Sequence, residues 1–292
     1  MYSDTHFHFL KVAASYDAAQ VLTGMAEHGV QFAQDIGTRC DDLPERTAGL
    51  QAALDAMDND ELRSRIAGAL YISAGIWPDP DAIRDRVNQV AVLAGHIKKA
   101  LDASGTFAGR LCALGECGID HHWNPSGVDG RDETEFDGAL YQGERELFIM
   151  QLELARSLGL PVIVHSRDAF EDTYECIKEA GYDRGVIHCY SYGVDEARKF
   201  LDRGWYISFS GSVTYTKKSK MEQMTELLRY VPDDRILLET DAPYLAPVPC
   251  RGRPNSPLLI EHTYRFVSEI RQVPLEYLCS TVDTNSRSLF LR

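Results

Sequence analysis

The sequence has no C-x-x-C pair among its seven cysteines, and seven is an odd count. That argues against both a disulfide framework and a thiolate zinc knuckle, and reduced thiols in a cytoplasmic protein are the expectation. No apolar run approaches the ~18 residues that span a bilayer, and the first residues carry neither a basic nor an apolar leader segment. Neither membrane insertion nor export is therefore expected. Positive charge is scarce: 30 Lys and Arg stand against 44 Asp and Glu, for a formal charge of −14. Avid, non-specific binding of duplex DNA requires a field of cations opposite the phosphates, which argues against that function class while leaving room for local basic clusters. No Pro/Gly/Ser-rich linker, low-complexity tract or internal repeat divides the chain, so residues 1–292 are read as one domain. No obligate protein partner is evident.

What is present is a regular alternation. At 292 residues and 44% hydrophobic, the chain can bury a large core. Short β-branched or aromatic runs recur as YSDTHFH, VQFAQDI, RIAGALYIS, RLCALGE, LPVIVH, RGVIHC, GWYISFS and DRILLET. Between them lie stretches of helical periodicity such as YDAAQVLTGMAEHG, ERELFIMQLELARSLG and AFEDTYECIKEAG. Eight strands alternating with helices predict a (β/α)8 TIM barrel, with a doubly wound open sheet as the competing topology. A barrel also fixes where chemistry belongs, because the loops after the strand C-termini form its working face.

The opening MYSDTHFHFL places Asp4, His6 and His8 two residues apart. Side chains in an extended strand alternate between faces, so these three converge on one side. An isolated His-x-His is a weak signal. Its weight comes from company: strand 4 is read as ending at Glu116, strand 5 at His165 and strand 6 at His188, with Asp241 directly after strand 8. Six ligand-type side chains at the same end of five strands are far more specific than any one of them.

Four imidazoles and two carboxylates are the donors preferred by divalent ions such as Mg²⁺, Mn²⁺ or Zn²⁺. Six donors exceed what one open catalytic site uses, so two ions sharing Glu116 are expected: His6, His8 and Asp241 on one, His165 and His188 on the other. Two ions about 3.5–4 Å apart polarise a phosphoryl or carbonyl oxygen and activate water for attack. Asp241 is read as ligand and general base together, and Asp4 as a hydrogen-bonding support for a ligand imidazole or as a buried carboxylate that satisfies loop amides.

The segments DTHFH, ALGECGID, LPVIVHSRDAFED, GVIHCYSYG, ISFSG and LLETDAPYLAPVPCRGRPNSP, in that order, resemble the signature segments of the TatD family of metal-dependent deoxyribonucleases, within the amidohydrolase superfamily. The resemblance covers essentially the whole chain. It implies a (β/α)8 barrel, a divalent metal centre held by His6, His8, Glu116, His165, His188 and Asp241, and hydrolysis of phosphodiesters from the 3′ end of DNA. Four positions depart from the family's pattern: Phe9 and Leu10 follow His8 in place of Leu-Asp, Trp77 stands in AGIWP where His is common, and His121 stands where Tyr is common. A small phosphoester, lactone or amide is the alternative substrate, and a catalytically silent metal-binding scaffold a further alternative.

Substrate contacts are expected from Arg167 and from Arg251, Arg253 and Asn255 as phosphate-binding or loop-locking groups. Lys217, Lys218 and Lys220 form a basic patch after strand 7, and Trp77, Trp123 and Tyr244 are candidates for base stacking. After Glu116 comes a connection of roughly twenty residues whose acidic stretch, residues 124–135, is expected to act as a lid that narrows the substrate range.

Overall fold

The short apolar runs become staves of a parallel sheet that is covered on both faces, which is why they read as near-continuous hydrophobic segments rather than as alternating ones. The computed structural model describes residues 1–102, 104–122 and 137–291. Its strands are β1 (Tyr2–Phe7), β2 (Val30–Asp35), β3 (Leu70–Ala74), β4 (Leu111–Asp120), β5 (Val162–Arg167), β6 (Gly185–Ile187), β7 (Tyr206–Phe209) and β8 (Ile236–Leu238). They pair in parallel and in sequence order, so each β-to-β crossover runs to the next stave. Every residue of β1, β3, β4, β6 and β8 is buried.

The barrel is drawn shut at its C-terminal rim. Beyond β8, Asp241 N–H donates to the His6 carbonyl and His8 N–H donates to the Ala242 carbonyl, both at 2.8 Å. The seam between first and last staves thus passes through His6, His8 and Asp241. Helices cover the outside for recognisable local reasons. Phe170–Ala180 buries Phe170, Thr173, Cys176, Ile177 and Ala180, a single helical stripe, and stops at Gly181 in the left-handed region, φ 61°. Gly138–Leu158 starts at Asp137, whose side chain accepts from Leu140 N–H, and packs on β4. Two C-terminal helices, Ile260–Arg271 and Leu275–Phe290, complete the wall and pack against β1. All seven cysteines are free thiols. Among the described residues no helix is long and apolar enough to cross a membrane.

Two sequence expectations need correction. In RIAGALYIS only the last four residues are strand, the start of Leu70–Ala74; Arg65–Ala69 belongs to a helix, Asp60–Ala69, that Asn59 caps through its side-chain oxygen. Ile66 and Ala69, three apart, form that helix's buried face, a period that an apolar run alone conceals. Strand β4 does not end at Glu116 but continues to Asp120. The extension depends on Gly118, at φ 147°, where a Cβ would collide with the His165 carbonyl. Glycine there lets β4 lie close against β5.

Candidate metal centre

Glu116 stands at the middle of the constellation, and its two oxygens face different partners. Oε1 lies 2.9 Å from His165 Nδ1 and 3.0 Å from His188 Nε2. Oε2 lies 3.5 Å from His6 Nε2 and 3.8 Å from His8 Nε2. Asp241 Oδ1 completes the second group, 3.6 Å from His6 Nε2 and 3.5 Å from His8 Nε2. All six residues selected at strand ends are therefore brought together.

The imidazoles are held from behind in different ways. His165 Nε2 is 2.9 Å from Asp120 Oδ2, and His188 Nδ1 is 3.3 Å from Glu239 Oε1. Glu239 is itself fixed by Ser208 Oγ, which donates at 2.6 Å, and by Cys189 N–H at 2.7 Å. His8 Nδ1 has the Ile36 carbonyl at 3.4 Å. His6 is fully buried and its ring stacks on His188, centroids 4.0 Å apart, yet neither of its ring nitrogens has a hydrogen-bond partner. A buried polar atom without a partner costs free energy, and a cation between His6, His8, Glu116 and Asp241 would remove that cost. With neighbouring donor atoms grouped as His6, His8 and Glu116, as His6, His188 and Glu239, and as Glu116, His165 and His188, the residues fit divalent-metal binding.

Electrostatics follow from this crowding. Burial alone would raise the Glu116 carboxyl, but the charge on His188 and hydrogen bonds from His165 and His188 hold it well below the usual carboxylate range. Burial likewise opposes ionisation of Asp241, and the His8, His6 and His188 rings reverse it, leaving its pKa lowered. His165, despite burial, is pushed up to about 9 by its hydrogen bonds to Asp120 and Glu116. His6 goes the other way, lowered by burial and by the charge of His188.

Asp4 takes the loop-amide role and not the expected support of an imidazole. Its carboxylate supports no imidazole: it accepts Thr240 N–H at 2.9 Å, Thr240 Oγ1–H at 2.7 Å and His6 N–H at 3.3 Å, and so holds the peptide before Asp241. Asn255 takes the loop-locking role of its two readings and not the substrate contact. It is buried, and its amide donates to the carbonyls of Thr240 and Tyr244, at 2.9 and 2.7 Å, so it locks the Asp241 loop and does not line the cavity over the centre. Arg251 is exposed, over the Tyr215 ring at 4.4 Å, and Arg253 is also exposed; neither lines the cavity over the centre. Lys217, Lys218 and Lys220 are exposed and outside that cavity as well. Arg167, Trp77 and Tyr244 do line it, in a space of about 580 Å³. Trp77 meets His165 edge-on, centroids 5.9 Å apart, and Tyr244 meets His8 in the same way at 5.9 Å. Trp123 and the acidic stretch 124–135 lie outside the described residues. Sequence reasoning missed Asp120 and Glu239. Asp120 is four residues after Glu116 in one strand, hence on the same face, and Glu239 sits two residues before Asp241 in LLETD.

The sequence model of the family described as TatD related DNase matches residues 3–291. The chain belongs to the TatD family. An uncharacterized metal-dependent hydrolase, YcfH of Escherichia coli (strain K12), is 39% identical to it over 182 residues, 62% of this chain and 63% of that protein. YabD of Bacillus subtilis (strain 168), likewise named as an uncharacterized metal-dependent hydrolase, is 33% identical over 183 residues, 62% of this chain and 66% of that protein. The chain thus spans just under two thirds of these TatD relatives' length. Among solved structures, the TatD homolog YJJV from Escherichia coli k12 superposes with a TM-score of 0.77 at 24% identity, covering 100% of this chain and 98% of that one. A hydrolase TatD family protein from Entamoeba histolytica does so with a TM-score of 0.74 at 17% identity over 99% and 97%. At those identities the superpositions establish the fold.

Proposed function

We propose that this protein is a divalent-metal-dependent hydrolase of phosphodiester bonds, acting at the 3′ end of DNA. The observation that carries the reading is Glu116, whose two oxygens each face a separate imidazole pair within 2.9–3.8 Å. His6, His8 and Asp241 would hold one ion and His165 and His188 the other, with Glu116 between them. Ions held there would supply Lewis-acid polarisation of the scissile phosphoryl group and a lowered pKa for the attacking water. Asp241, kept ionised and partly open to the cavity, accepts the proton of that water as it attacks phosphorus and the P–O bond to the leaving group breaks. Lys11, Arg39 and Arg167 line the same cavity and offer cations to phosphate oxygens, while Trp77 and Tyr244 offer flat faces to a base. The family's description and the relatives' names as metal-dependent hydrolases support the same class.

A small phosphoester is the second reading. The net charge of −14 favours it, because that charge repels a long polyanion more than a compact ester. The test is a panel: metal-loaded protein with 3′-labelled single-stranded DNA, a generic phosphodiester and a lactone. Shortening of the labelled DNA is the expected result; turnover of the small ester with intact DNA would transfer the assignment to the second reading, and no turnover of any would reject both.

A further inference from the structure

A buried ion cluster lies beneath the loop that follows β2 and contributes no ligand. Arg46, near the start of the helix Leu43–Asp55, is 4% exposed, Asp35 is 0% exposed and Asp42 7%. All three guanidinium nitrogens donate: Nη1 to Asp35 Oδ2 at 2.5 Å and to the Asp35 carbonyl at 3.3 Å, Nε to Asp42 Oδ1 at 3.0 Å and Nη2 to the Ser73 carbonyl at 2.5 Å. The second Asp42 oxygen accepts the N–H groups of Thr38 and Arg39, at 2.8 and 3.0 Å. Taking three charges out of water offsets much of their mutual attraction, so such a cluster is a poor way to add stability and a good way to fix a geometry.

The geometry it fixes belongs to the metal centre. The Gly37 carbonyl, on the loop the cluster grips, accepts Glu116 N–H at 2.7 Å. Gly37 N–H donates to Ser73 Oγ at 3.2 Å, and that hydroxyl donates to the Gly115 carbonyl at 2.5 Å, so both sides of the Gly115–Glu116 peptide are tied to this loop. Asp35 Oδ1 accepts Phe9 N–H at 2.8 Å, the peptide directly after His8, and the neighbouring Ile36 carbonyl is the one facing the His8 ring. The loop lies flat on the guanidinium: a Cβ at Gly37 would stand 2.7 Å from Arg46 Nη2 and 3.1 Å from Ala74 Cα.

We propose that Arg46 is a positioning residue for the metal centre, which sets the backbone of Glu116 and of His8 together by gripping the 36–42 loop from below. The proposal rests on the reading of Glu116 as the shared ligand. One planar cation reaches two carboxylates and a carbonyl at once; lysine keeps the charge but lacks the fork that spans them.

The test uses the full chain in three variants: Arg46→Lys; Ser73→Ala, which cuts the hydroxyl link while leaving every charge in place; and Asn285→Ala. The last is a matched control, since the buried Asn285 amide donates to the Asp233 and Ile236 carbonyls at the opposite end of β8 from Asp241. Thermal stability of chelator-treated protein, Mn²⁺ stoichiometry and affinity by titration calorimetry, and kcat with KM are measured on each. Arg46→Lys is expected to weaken Mn²⁺ binding about 10–100-fold and to lower kcat at saturating metal by at least about tenfold with KM nearly unchanged. Ser73→Ala is expected to weaken binding several-fold, and Asn285→Ala to lower the melting temperature while leaving Mn²⁺ affinity within about twofold of wild type. Arg46→Lys or Ser73→Ala folding with wild-type Mn²⁺ affinity would overturn the proposal. So would Asn285→Ala weakening Mn²⁺ for the same loss of melting temperature, because the effect would then be general stability. If Arg46→Lys fails to fold, Ser73→Ala alone decides. Fewer than two Mn²⁺ in the wild-type protein would overturn the bridging reading of Glu116 and would still let the Arg46 effect be read on the ion that binds.

Discussion

The two imidazole pairs that face Glu116 are held by different means. His165 and His188 have carboxylates behind them, Asp120 at 2.9 Å and Glu239 at 3.3 Å. His6 has no partner on either nitrogen, and His8 has one carbonyl at 3.4 Å. A carboxylate behind a ring fixes its tautomer and orientation and raises its basicity. One half of the centre is therefore preset by side chains. The other is preset by backbone: the seam bonds from Asp241 N–H to His6 and from His8 N–H to Ala242, reinforced by Asp4 and Asn255 on Thr240. Side-chain substitution should accordingly act on one half at a time, except at the residue common to both.

That residue gives the largest expected effect. Glu116→Ala should abolish turnover and reduce metal content towards one ion or none, because two cations lose their shared charge compensation, while the barrel stays folded. Metal analysis beside circular dichroism checks it; two bound ions with near-normal activity would break the idea of a shared ligand. Asp241→Asn comes next. It should lower kcat by about 10²–10⁴-fold while costing less in metal affinity, and a loss below about tenfold at saturating metal would remove Asp241 as the base.

Asp120→Asn sharpens the contrast between the halves. It removes the charge behind His165 and should weaken one ion by about 10–100-fold and leave the other nearly unchanged, as two-step titration calorimetry would resolve. Equal weakening of both ions would mean that the halves are not independently held.

The smallest effect is one of pH on chelator-treated protein. His165 is raised from 6.5 to about 9. A raised histidine stabilises the fold fully below its unfolded pKa and loses that contribution as pH rises through the folded one, so His165 adds stability below about 6.5 that fades between about 6.5 and 9. Asp120→Asn should flatten the melting temperature over that window, and an unchanged slope would separate His165 from Asp120.

Much of this architecture is legible in the chain because its signals are local. Parallel strands buried on both faces must be apolar runs, and a barrel must present the residues at their C-terminal ends, so His6, His8, Glu116, His165, His188 and Asp241 could be selected before any coordinates. Even the missed carboxylates obey a local rule: Asp120 shares the face of Glu116 once β4 is known to run on to Asp120. The extent of that strand was hidden, because the close β4–β5 contacts at Gly115 and Gly118 show only once Ile163 and His165 lie beside them.

Other assignments had little local signal. Arg46 has a local partner only in Asp42, four residues earlier at the start of its own helix, and it is Asp35 from β2 and Ser73 from β3 that complete the buried cluster. Asn255 could have faced a phosphate or its own loop, and the path of residues 240–245 decided for the loop. Asp4 lies on the histidine face of β1, but the approach of Thr240 at the seam claims its oxygens. The sequence by itself determined the alternation of strands and helices, the candidate donor types and the strand ends at which they gather, because alternation and strand polarity act within a few residues, while the closing of the staves in order was settled by the tertiary structure. Tertiary structure alone decided which oxygen of Glu116 faces which imidazole pair and which polar groups hold the ligands from behind, because hydrogen-bond partners are fixed only when distant backbones close to within about 3 Å of one another.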